Sequence, residues 1–291
     1  MITEILIKLL LFFFTLINFV LPFNLEQEVV FFGKESVNEY KAITYNIHRG
    51  TNKFGFPSLN QISDLLKKEN PDFLALQEVD RYNIRSGFKD QIKTLSDQLK
   101  MEYVFGPNMN FMVTEYGNAI MSKYPIIESG QIELARETEP RSLLWAKVKT
   151  DDGYLYLTSI HLGLDTKLRS EHFAIIGDFI NSLDEPVLLM GDLNVLPDNQ
   201  LFAQFRLKIS GQIYYQEIPT YINNKPIQID YIIGRKIKEI QMYNIPSHAS
   251  DHYPLVLTFK IGSYPINQMS VVNTEVGSQK SEVITEVRRE K

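Results

Sequence analysis

The sequence of 291 residues contains no cysteine, and this absence excludes several kinds of site. A protein without cysteine has no disulfide framework, no thiolate zinc site and no cysteine nucleophile. Any metal ion that it binds must therefore be held by oxygen atoms or by histidine nitrogens. Oxygen ligands suit hard divalent cations such as Mg²⁺, Mn²⁺ and Ca²⁺.

An excess of basic residues is also missing, because Asp and Glu number 35 against 30 Lys and Arg, which gives a net charge of −5. This balance argues against a large basic surface for binding nucleic acid. It leaves open an enzyme that contacts phosphate groups within one cleft. No internal repeat is visible, and a content of 44% hydrophobic and 22% charged residues is typical of a globular protein.

Residues 1–23 are predicted to be a signal peptide or a membrane anchor. Lys8 precedes Leu9–Phe23, an uncharged run whose polar residues are Thr15 and Asn18. A secretory signal peptide has this form, but the small-residue pattern of a cleavage site is missing, which leaves an uncleaved anchor as an alternative. A buried core helix ranks third, because apolar residues cover every face of the run. We expect a secreted, periplasmic or membrane-anchored protein that contacts the membrane through its N-terminus.

The rest of the chain is predicted to form a linker at 24–40, one α/β (α+β) domain at 41–260 and a disordered tail at 261–291. The tail is polar and poor in aromatic residues. Strand-like and helix-like segments alternate within the domain, which favours helices packed on sheets. More than eight strands would overload one twisted open sheet. Two stacked sheets with helices on their outer faces are therefore predicted.

Three helices are predicted from apolar residues at helical spacing. The first spans Ser58–Glu69, where Ser58 and Gln61 match a capping box. The second spans Asp90–Lys100, and the third spans Thr166–Leu183. The inner face of the third helix is expected to carry Leu168, Ile175, Phe179 and Leu183.

Polar side chains lie at or beside the ends of six predicted strands, where ligand sites gather in layered α/β proteins. These residues are Asn46, Glu78, His161, Asp192, Asn194, Asp230, Asp251 and His252. Each alone has a simpler structural explanation, such as a turn, a solvent-facing strand end or a satisfied core histidine. Together they match the needs of phosphoester hydrolysis: ligands for a hard cation, a base for water and donors for phosphoryl oxygens.

Asp230 and the segment VLLMGDLNVLPD carry further information. Asp230 sits in the apolar run IQIDYII, where a buried carboxylate without a partner costs several kcal/mol, so a partner is expected. Asp192 and Asn194 follow the apolar VLLM and Gly191. An Asx-turn is the better explanation of this pair when the segment is considered alone, and a metal or phosphate site is the alternative.

Seven motifs resemble those of the endonuclease/exonuclease/phosphatase superfamily and occur in its order. They are TYNIHRG, PDFLALQEVD, YGNAIMSKYPI, TSIHLGL, LLMGDLNVLPD, IDYII and SDHYPLVLTF. This superfamily includes deoxyribonuclease I, exonuclease III, the neutral sphingomyelinases and inositol polyphosphate 5-phosphatases. The resemblance spans Lys41 to Lys260 and implies a four-layer α/β sandwich, in agreement with the two stacked sheets.

The resemblance implies a metal site and a proton-transfer pair. Asn46, Glu78 and Asp251 are expected to bind Mg²⁺, for which Mn²⁺ is a possible substitute, and Glu78 is the principal ligand. His252 resembles the general base of the superfamily. Asp230 resembles the partner that orients this imidazole and raises its basicity.

The resemblance also implies residues that contact the substrate. Asp192 and Asn194 resemble the pair that positions the attacking water and the scissile phosphate. His161 is expected to contact a phosphoryl oxygen or to protonate the leaving group. Asn118 and Arg141 are further candidates for phosphate contacts, with a surface role as the alternative for Arg141.

The expected activity is metal-dependent phosphodiester hydrolysis, in which a His–Asp pair assists the attack of water on phosphorus. A phospholipid headgroup or another small phosphodiester is the preferred substrate, because the apolar N-terminus would hold the enzyme near lipid. The alternatives are a deoxyribonuclease I-like nuclease and a non-catalytic membrane-associated binding module. No obligate protein partner is evident. Substrate choice is expected to depend on the loops Ser86–Lys89, Asn108–Tyr116 and Leu196–Pro219.

Overall fold

The computed structural model describes residues 38–134, 138–209, 218–222 and 226–262, and the structural statements below refer to these ranges. The predictions for 1–23, for most of 24–40 and for nearly all of 261–291 lie outside the described residues. Part of the predicted loop Leu196–Pro219 lies outside them as well. None of the helices in the described ranges has the length and apolar character that a membrane span requires.

Eleven strands in the described ranges form two mixed sheets. The first sheet contains β1 (Tyr40–Asn46), β2 (Phe73–Arg81), β3 (Glu102–Phe111), β4 (Thr114–Ser122), β10 (Ile237–Asn244) and β11 (Leu255–Ile261), in the order β10-β11-β1-β2-β4-β3. The second contains β5 (Ile126–Glu133), β6 (Ser142–Thr150), β7 (Gly153–His161), β8 (Val187–Asp192) and β9 (Asp230–Arg235), in that order. The four described α-helices are α1 (Leu59–Glu69), α2 (Gln91–Leu99), α3 (Arg169–Ser182) and α4 (Gln200–Lys208).

Alternating side chains on the strands build the layers. On β1, Ala42 packs into a core shared by both sheets, while its neighbour Ile43 packs into a core shared with α1 and α2. A third core joins the outer face of the second sheet to α3 and α4. Each fully buried aliphatic side chain contributes about 1.5–3 kcal/mol to these cores. The predicted four-layer α/β sandwich is confirmed.

The helices show two differences from the sequence-based predictions. The predicted capping box is wrong, because the Ser58 hydroxyl donates to the Ala249 carbonyl at 2.6 Å instead of capping α1. The inner face of α3 is displaced by about one residue, so that Ile176 and Ile180 are buried while Ile175 and Phe179 are partly buried. Adjacent apolar pairs at these positions make the face ambiguous in the sequence.

Three elements are absent from the sequence-based prediction: β3, β10 and α4. The strands β3 and β10 lie at the two edges of the first sheet and have many exposed residues, so their apolar alternation is weak. The predicted loop Asn108–Tyr116 is the tight turn between β3 and β4 with its flanking strand residues.

Strand direction brings the polar strand ends together. β1 and β2 run parallel in the first sheet, and β7 and β8 run parallel in the second. Parallel strands present their carboxyl ends at one edge of a sheet. Asn46 at the end of β1 reaches Asp192 at the end of β8, so the two sheets share one polar edge.

Candidate active site

Three adjacent strands of the second sheet place a histidine and two aspartates side by side. His161 on β7 is paired in register with Asp192 on β8, and Asp192 is paired with Asp230 on β9. All three side chains are buried. Asp230 is the first residue of β9, whereas the sequence pattern places it inside a longer strand. It therefore lies at the polar edge rather than within the sheet.

Gly191 allows the backbone to place Asp192. Its φ is +144°, and a Cβ atom at this position would lie 2.0 Å from the carbonyl oxygen of Ile160. Beyond it, the backbone N–H of Asn194 donates to Asp192 Oδ1 at 2.9 Å, and Asn194 Nδ2 donates to the Leu162 carbonyl at 2.7 Å. The segment thus contains an Asx-type turn and also faces the site, so the two explanations of this sequence are compatible.

The first sheet contributes an amide and a carboxylate. Asn46 Nδ2 lies 3.1 Å from Glu78 Oε1 and 3.2 Å from Asp192 Oδ2. Glu78 has a left-handed backbone, with φ of +57°, where the register of β2 against β4 shifts between Leu76 and Val79. Such a bulge redirects a side chain out of the regular alternation.

His252 and Asp230 form the predicted pair. His252 Nδ1 lies 2.8 Å from Asp230 Oδ2, and both side chains are buried. The backbone N–H of Asp230 donates to Thr220 Oγ1 at 3.0 Å. The centre of the Tyr221 ring lies 5.0 Å from the centre of the His252 ring. This geometry gives Asp230 the buried partner that its apolar surroundings require.

Asp192 Oδ2 is the point on which the site converges. His161 Nε2 and His252 Nε2 each lie 3.7 Å from this oxygen, in addition to Asn46 Nδ2 at 3.2 Å. Two imidazoles and an amide therefore face a single carboxylate oxygen. We call Asp192, Asp230 and His252 the Asp–Asp–His group. One ligand atom from each lies within 4.8 Å of the others.

Burial shifts the pKa values of these groups in different directions. Burial and the charge of Asp230 raise the pKa of Asp192 to about 7, against the opposing effects of His252 and the hydrogen bonds from Asn194 and Asn46. Burial alone would lower the pKa of His252, but Asp230 and Asp192 raise it to about 10. Near neutral pH the group thus holds a proton on His252, while Asp192 titrates.

His161 is the opposite case. Burial, the positive charge of Arg141 and the charge of His252 lower its pKa well below the usual value. The side chain is therefore a neutral imidazole at pH 7, able to donate one hydrogen bond and to accept another. Two histidines facing the same carboxylate oxygen differ in charge, because Asp230 contacts only one of them.

His161, Asp192 and His252 line a cleft of about 570 Å³ at the shared edge. Asn46 and Asp230 contact Asp192 and His252 but are not among the residues that line the cleft. Glu78, Asp251, Asn194 and Arg141 lie in its wall, and Arg141 Nη1 is 2.9 Å from Glu139 Oε1. The cleft thus brings together the predicted residues from both sheets. Asn118 is not among the residues that line it. Its Nδ2 lies 3.5 Å from the carbonyl oxygens of Ser142 and Ser159, and its role in phosphate binding stays a prediction.

Several residues that line the cleft are absent from the predicted site, among them the polar residues His48, Arg49, Glu139 and Tyr221, whereas Tyr116 lies in the predicted loop Asn108–Tyr116. His48 Nδ1 lies 3.6 Å from Asp251 Oδ1, and Arg49 Nε lies 3.8 Å from Glu78 Oε2. Each of these two basic side chains faces a predicted metal ligand. The motif TYNIHRG contains both residues directly after Asn46, and that position is the signal that could have identified them.

Two sets of side chains near the cleft offer ligand atoms for a divalent cation. Glu78 and Asp251 are partly exposed carboxylates in the cleft wall, which suits a hard cation that keeps some of its water. The Asp–Asp–His group is tighter, but His252 Nδ1 is already bonded to Asp230. Glu78 and Asp251 thus offer donors that suit a hard cation, whereas the side-chain oxygen of Asn46 accepts a hydrogen bond from the His48 N–H at 3.1 Å. Metal binding by these three residues stays a prediction.

Known proteins resemble this chain over most of its length. It is 25% identical over 243 residues to the uncharacterized protein YbhP of Escherichia coli K12, covering 74% of this chain and 94% of that protein. It is 26% identical over 268 residues to sphingomyelinase C of Bacillus cereus, covering 78% and 77%. An endonuclease/exonuclease/phosphatase family structure from Bacteroides thetaiotaomicron matches with TM-score 0.65 and 19% identity, covering 77% of this chain and 98% of that chain.

A sequence profile of the Endonuclease/Exonuclease/phosphatase family matches residues 43–252. This range begins in β1, ends at His252 and contains every residue predicted for the site. The sandwich fold, the polar edge shared by its two sheets and this match lead to one assignment. The chain belongs to the endonuclease/exonuclease/phosphatase superfamily, whose members hydrolyse phosphoester bonds.

Proposed function

We propose that this protein is a divalent-metal-dependent phosphodiesterase that acts on the headgroup of a phospholipid at a membrane surface. The observation that carries the proposal is the convergence of His161, His252 and Asn46 on Asp192 Oδ2, next to the carboxylates of Glu78 and Asp251. This arrangement combines donors for phosphoryl oxygens with a group that accepts a proton from water.

The Asp–Asp–His group is assigned to proton transfer. Asp192 has a pKa of about 7, close to the optimum for a group that takes a proton from attacking water at neutral pH. His252 keeps its proton because Asp230 stabilises the cation, so it can donate to a phosphoryl oxygen. The sequence-based prediction assigns the base to His252, and the directions of these pKa shifts favour Asp192 for that step.

The remaining polar residues bind and orient the substrate. Neutral His161, whose Nε2 lies 3.7 Å from Asp192 Oδ2, donates a hydrogen bond to a phosphoryl or leaving-group oxygen. Asn194 is held by its contact with the Leu162 carbonyl and fixes the turn that carries Asp192. Glu78, Asp251 and Asn46 would hold Mg²⁺ or Mn²⁺, which lowers the pKa of water and neutralises phosphoryl charge.

Two observations support a lipid substrate. Leu164, Leu196 and Ile227 give the polar cleft an apolar wall, which suits a substrate with a hydrophobic part. The relative in Bacillus cereus is named sphingomyelinase C. The proposal places the protein outside the cytoplasm or on a membrane, in line with the apolar run Leu9–Phe23. The net charge of −5 gives no help in binding a polyanion such as DNA.

The test is a panel of substrates for one purified sample of the full chain with Mg²⁺: sphingomyelin, phosphatidylglycerol, an inositol phosphate and plasmid DNA. The expected result is release of a phosphorylated headgroup together with the lipid alcohol, which is ceramide from sphingomyelin or diacylglycerol from phosphatidylglycerol. EDTA and His252→Ala should each abolish this release. Cleavage of plasmid DNA alone would replace the lipid substrate by a nucleic acid. Binding of lipid without any hydrolysis would favour a non-catalytic module.

A further inference from the structure

Large apolar side chains stand exposed in three loops of the first sheet. We call these residues the apolar rim: Phe54, Phe56, Ile84, Phe88 and Phe111–Val113. The tip residues Phe111, Met112 and Val113 are 73%, 87% and 68% exposed. Isolated exposed apolar residues are ordinary on protein surfaces, whereas several that share one edge mark an interaction site.

The topology places the rim at the same edge as the cleft. β1, β2 and β3 point in one direction, because β1 and β2 are parallel and β4 is antiparallel to both β2 and β3. The rim residues follow the ends of these three strands. Asn46 is the last residue of β1, and Glu78 lies at the bulge three residues before the end of β2. The guanidinium of Arg85, in the second rim loop, lies over the ring of Tyr116 in the cleft wall.

The two rim loops beside the cleft are held in place by polar contacts. Arg85 makes two hydrogen bonds, of 2.9 and 2.8 Å, to the buried carboxylate of Asp80. Arg81 pairs with Asp90 at the base of the same loop and with Glu115 at the base of the β3–β4 turn. Ile84 and Phe88 are therefore presented to solvent by an anchored loop.

The residues at the β3–β4 turn are unusual for its conformation. Met112 has φ of +56°, in a tight turn where Asn, Asp or Gly are preferred because they adopt this region at low cost. The sequence there is Phe-Met-Val, so neither turn chemistry nor packing accounts for the apolar residues. A function for these side chains accounts for them.

We infer that the apolar rim inserts into the surface of a phospholipid bilayer and presents the cleft to lipid headgroups. Exposed lysines in the same loops suit phosphate headgroups: Lys89 lies next to Phe88, and Lys53 Nζ lies 5.3 Å from the centre of the Phe54 ring. Apolar side chains flanked by lysine are typical of segments that bind at membrane interfaces. The inference rests on the proposed function only for its activity readout.

Tryptophan probes test the contact directly. The chain has one tryptophan, Trp145, so Met112→Trp in a Trp145→Phe background carries a single reporter at the rim. Leu207→Trp is the matched control, since Leu207 is equally exposed on α4. Vesicles of phosphatidylcholine and phosphatidylglycerol with brominated acyl chains should quench the rim probe by at least about twofold and leave the control unchanged. Phe88→Trp is a second rim probe if the first fails to fold.

Equal quenching of both probes would overturn the inference, because attachment through the N-terminus alone would explain it. No quenching at either position would overturn it as well and would point to a protein as the occupant of the rim. The measurement uses no catalytic activity. Its outcome is therefore independent of whether the protein is a phosphodiesterase.

Kinetics supply the functional half of the test. Replacement of Phe111, Met112 and Val113 by Ser should lower phospholipid hydrolysis in vesicles by about tenfold or more and change hydrolysis of soluble bis(4-nitrophenyl) phosphate less than about twofold. The control replaces Ile127, Leu207 and Ile240 by Ser. Equal losses on both substrates would contradict a membrane role for the rim. Absence of hydrolysis by the unaltered protein would count against the proposed function, while the tryptophan result would still decide the docking.

Discussion

The Asp–Asp–His group and the apolar rim lie at the same edge of the molecule. They depart in opposite ways from the usual burial of apolar side chains and exposure of charged ones. The group buries two carboxylates and an imidazole, whereas the rim exposes large apolar side chains to water. Burying a charge is unfavourable without a partner, and each exposed rim side chain forgoes about 1.5–3 kcal/mol of burial. The three hydrophobic cores between and outside the sheets consist of buried apolar side chains, as is usual.

This contrast indicates that many side chains at one edge of the molecule are suited to function rather than to the stability of the fold. Sequences that specify a fold are locally consistent, and exceptions concentrate where function requires them. Here the exceptions form two adjacent sets, one polar and inside, the other apolar and outside. If both sets serve function, their removal should damage activity more than it damages the fold.

The largest expected effect is on activity without loss of structure. Glu78→Ala should lower phosphodiester hydrolysis by about 10³-fold or more, because it removes the principal predicted ligand of the cation. EDTA should do the same to the unaltered protein. The matched control is Glu128→Ala, since Glu128 is exposed on β5 away from the cleft. Circular dichroism should show both variants folded, and full activity of Glu78→Ala would remove Glu78 from the metal site.

Gly191→Ala tests the backbone that connects the buried sheet to the site. A Cβ atom would lie 2.0 Å from the Ile160 carbonyl oxygen, at φ of +144°, so the variant should lose about 2–4 kcal/mol of unfolding free energy. Gly87→Ala is the control, with a left-handed φ of +71° but open space, and should lose about 1 kcal/mol. Urea titration measures both. Similar losses of unfolding free energy in the two variants would show that the positive φ, and not the close contact with the Ile160 carbonyl, requires glycine at position 191.

Asp192→Asn should stabilise the metal-free protein while abolishing activity. The pKa of Asp192 is about 7 in the folded state against 3.8 ordinarily, so its ionisation reduces stability as the pH rises between these values. Removing the carboxylate should therefore raise unfolding free energy by about 2 kcal/mol at pH 8 and by much less at pH 4. Urea titration in EDTA at both pH values is the measurement. A destabilised variant at pH 8 would contradict the raised pKa.

The pH dependence of hydrolysis tests the same group in the active protein. With Asp192 as the proton acceptor, the rate should fall about tenfold per pH unit below a pKa of about 7. Protonation of the acceptor is the physical reason. Rates measured from pH 5 to 9 locate the inflection. An inflection near pH 4 would assign the step to a carboxylate with an ordinary pKa.

The smallest expected effect is that of the apolar rim on stability. Replacing Phe111, Met112 and Val113 by Ser should change the free energy of unfolding by less than about 0.5 kcal/mol, because these side chains are exposed. Ile62→Ala in the buried face of α1 is the contrast, with an expected loss of about 2–4 kcal/mol. Thermal unfolding of both variants makes the comparison. A large loss at the rim would give it a structural role instead.

The sequence predicts most of the fold because its central strands and its helices carry strong patterns. The number of strands requires two sheets, and the resemblance of the motifs implies the four-layer sandwich. The sequence fails at the edge strands β3 and β10, where few positions are buried, and on α3, where apolar residues occur in adjacent pairs. In each case burial is decided by packing partners that lie far away in the chain.

The site likewise has features that the sequence predicts and features that only the fold determines. Polar residues at the ends of apolar strands are visible in the sequence, and the structure brings Glu78, Asp192 and His252 to one cleft, with Asn46 in contact with Asp192. The sequence does not reveal that Asp192 lies between two imidazoles, since this depends on the register of β7, β8 and β9. It also gives no sign that the apolar rim is exposed, because exposure depends on strand direction and turn geometry.

Hydrolysis in water labelled with ¹⁸O tests the central claim most directly. The purified protein is given a phosphodiester substrate and Mg²⁺, and the products are examined by mass spectrometry. The account predicts one ¹⁸O atom in the phosphorylated product, none in the alcohol, and no labelled product from His252→Ala. Label in the alcohol, or equal turnover by His252→Ala, would contradict attack of water on phosphorus by this site.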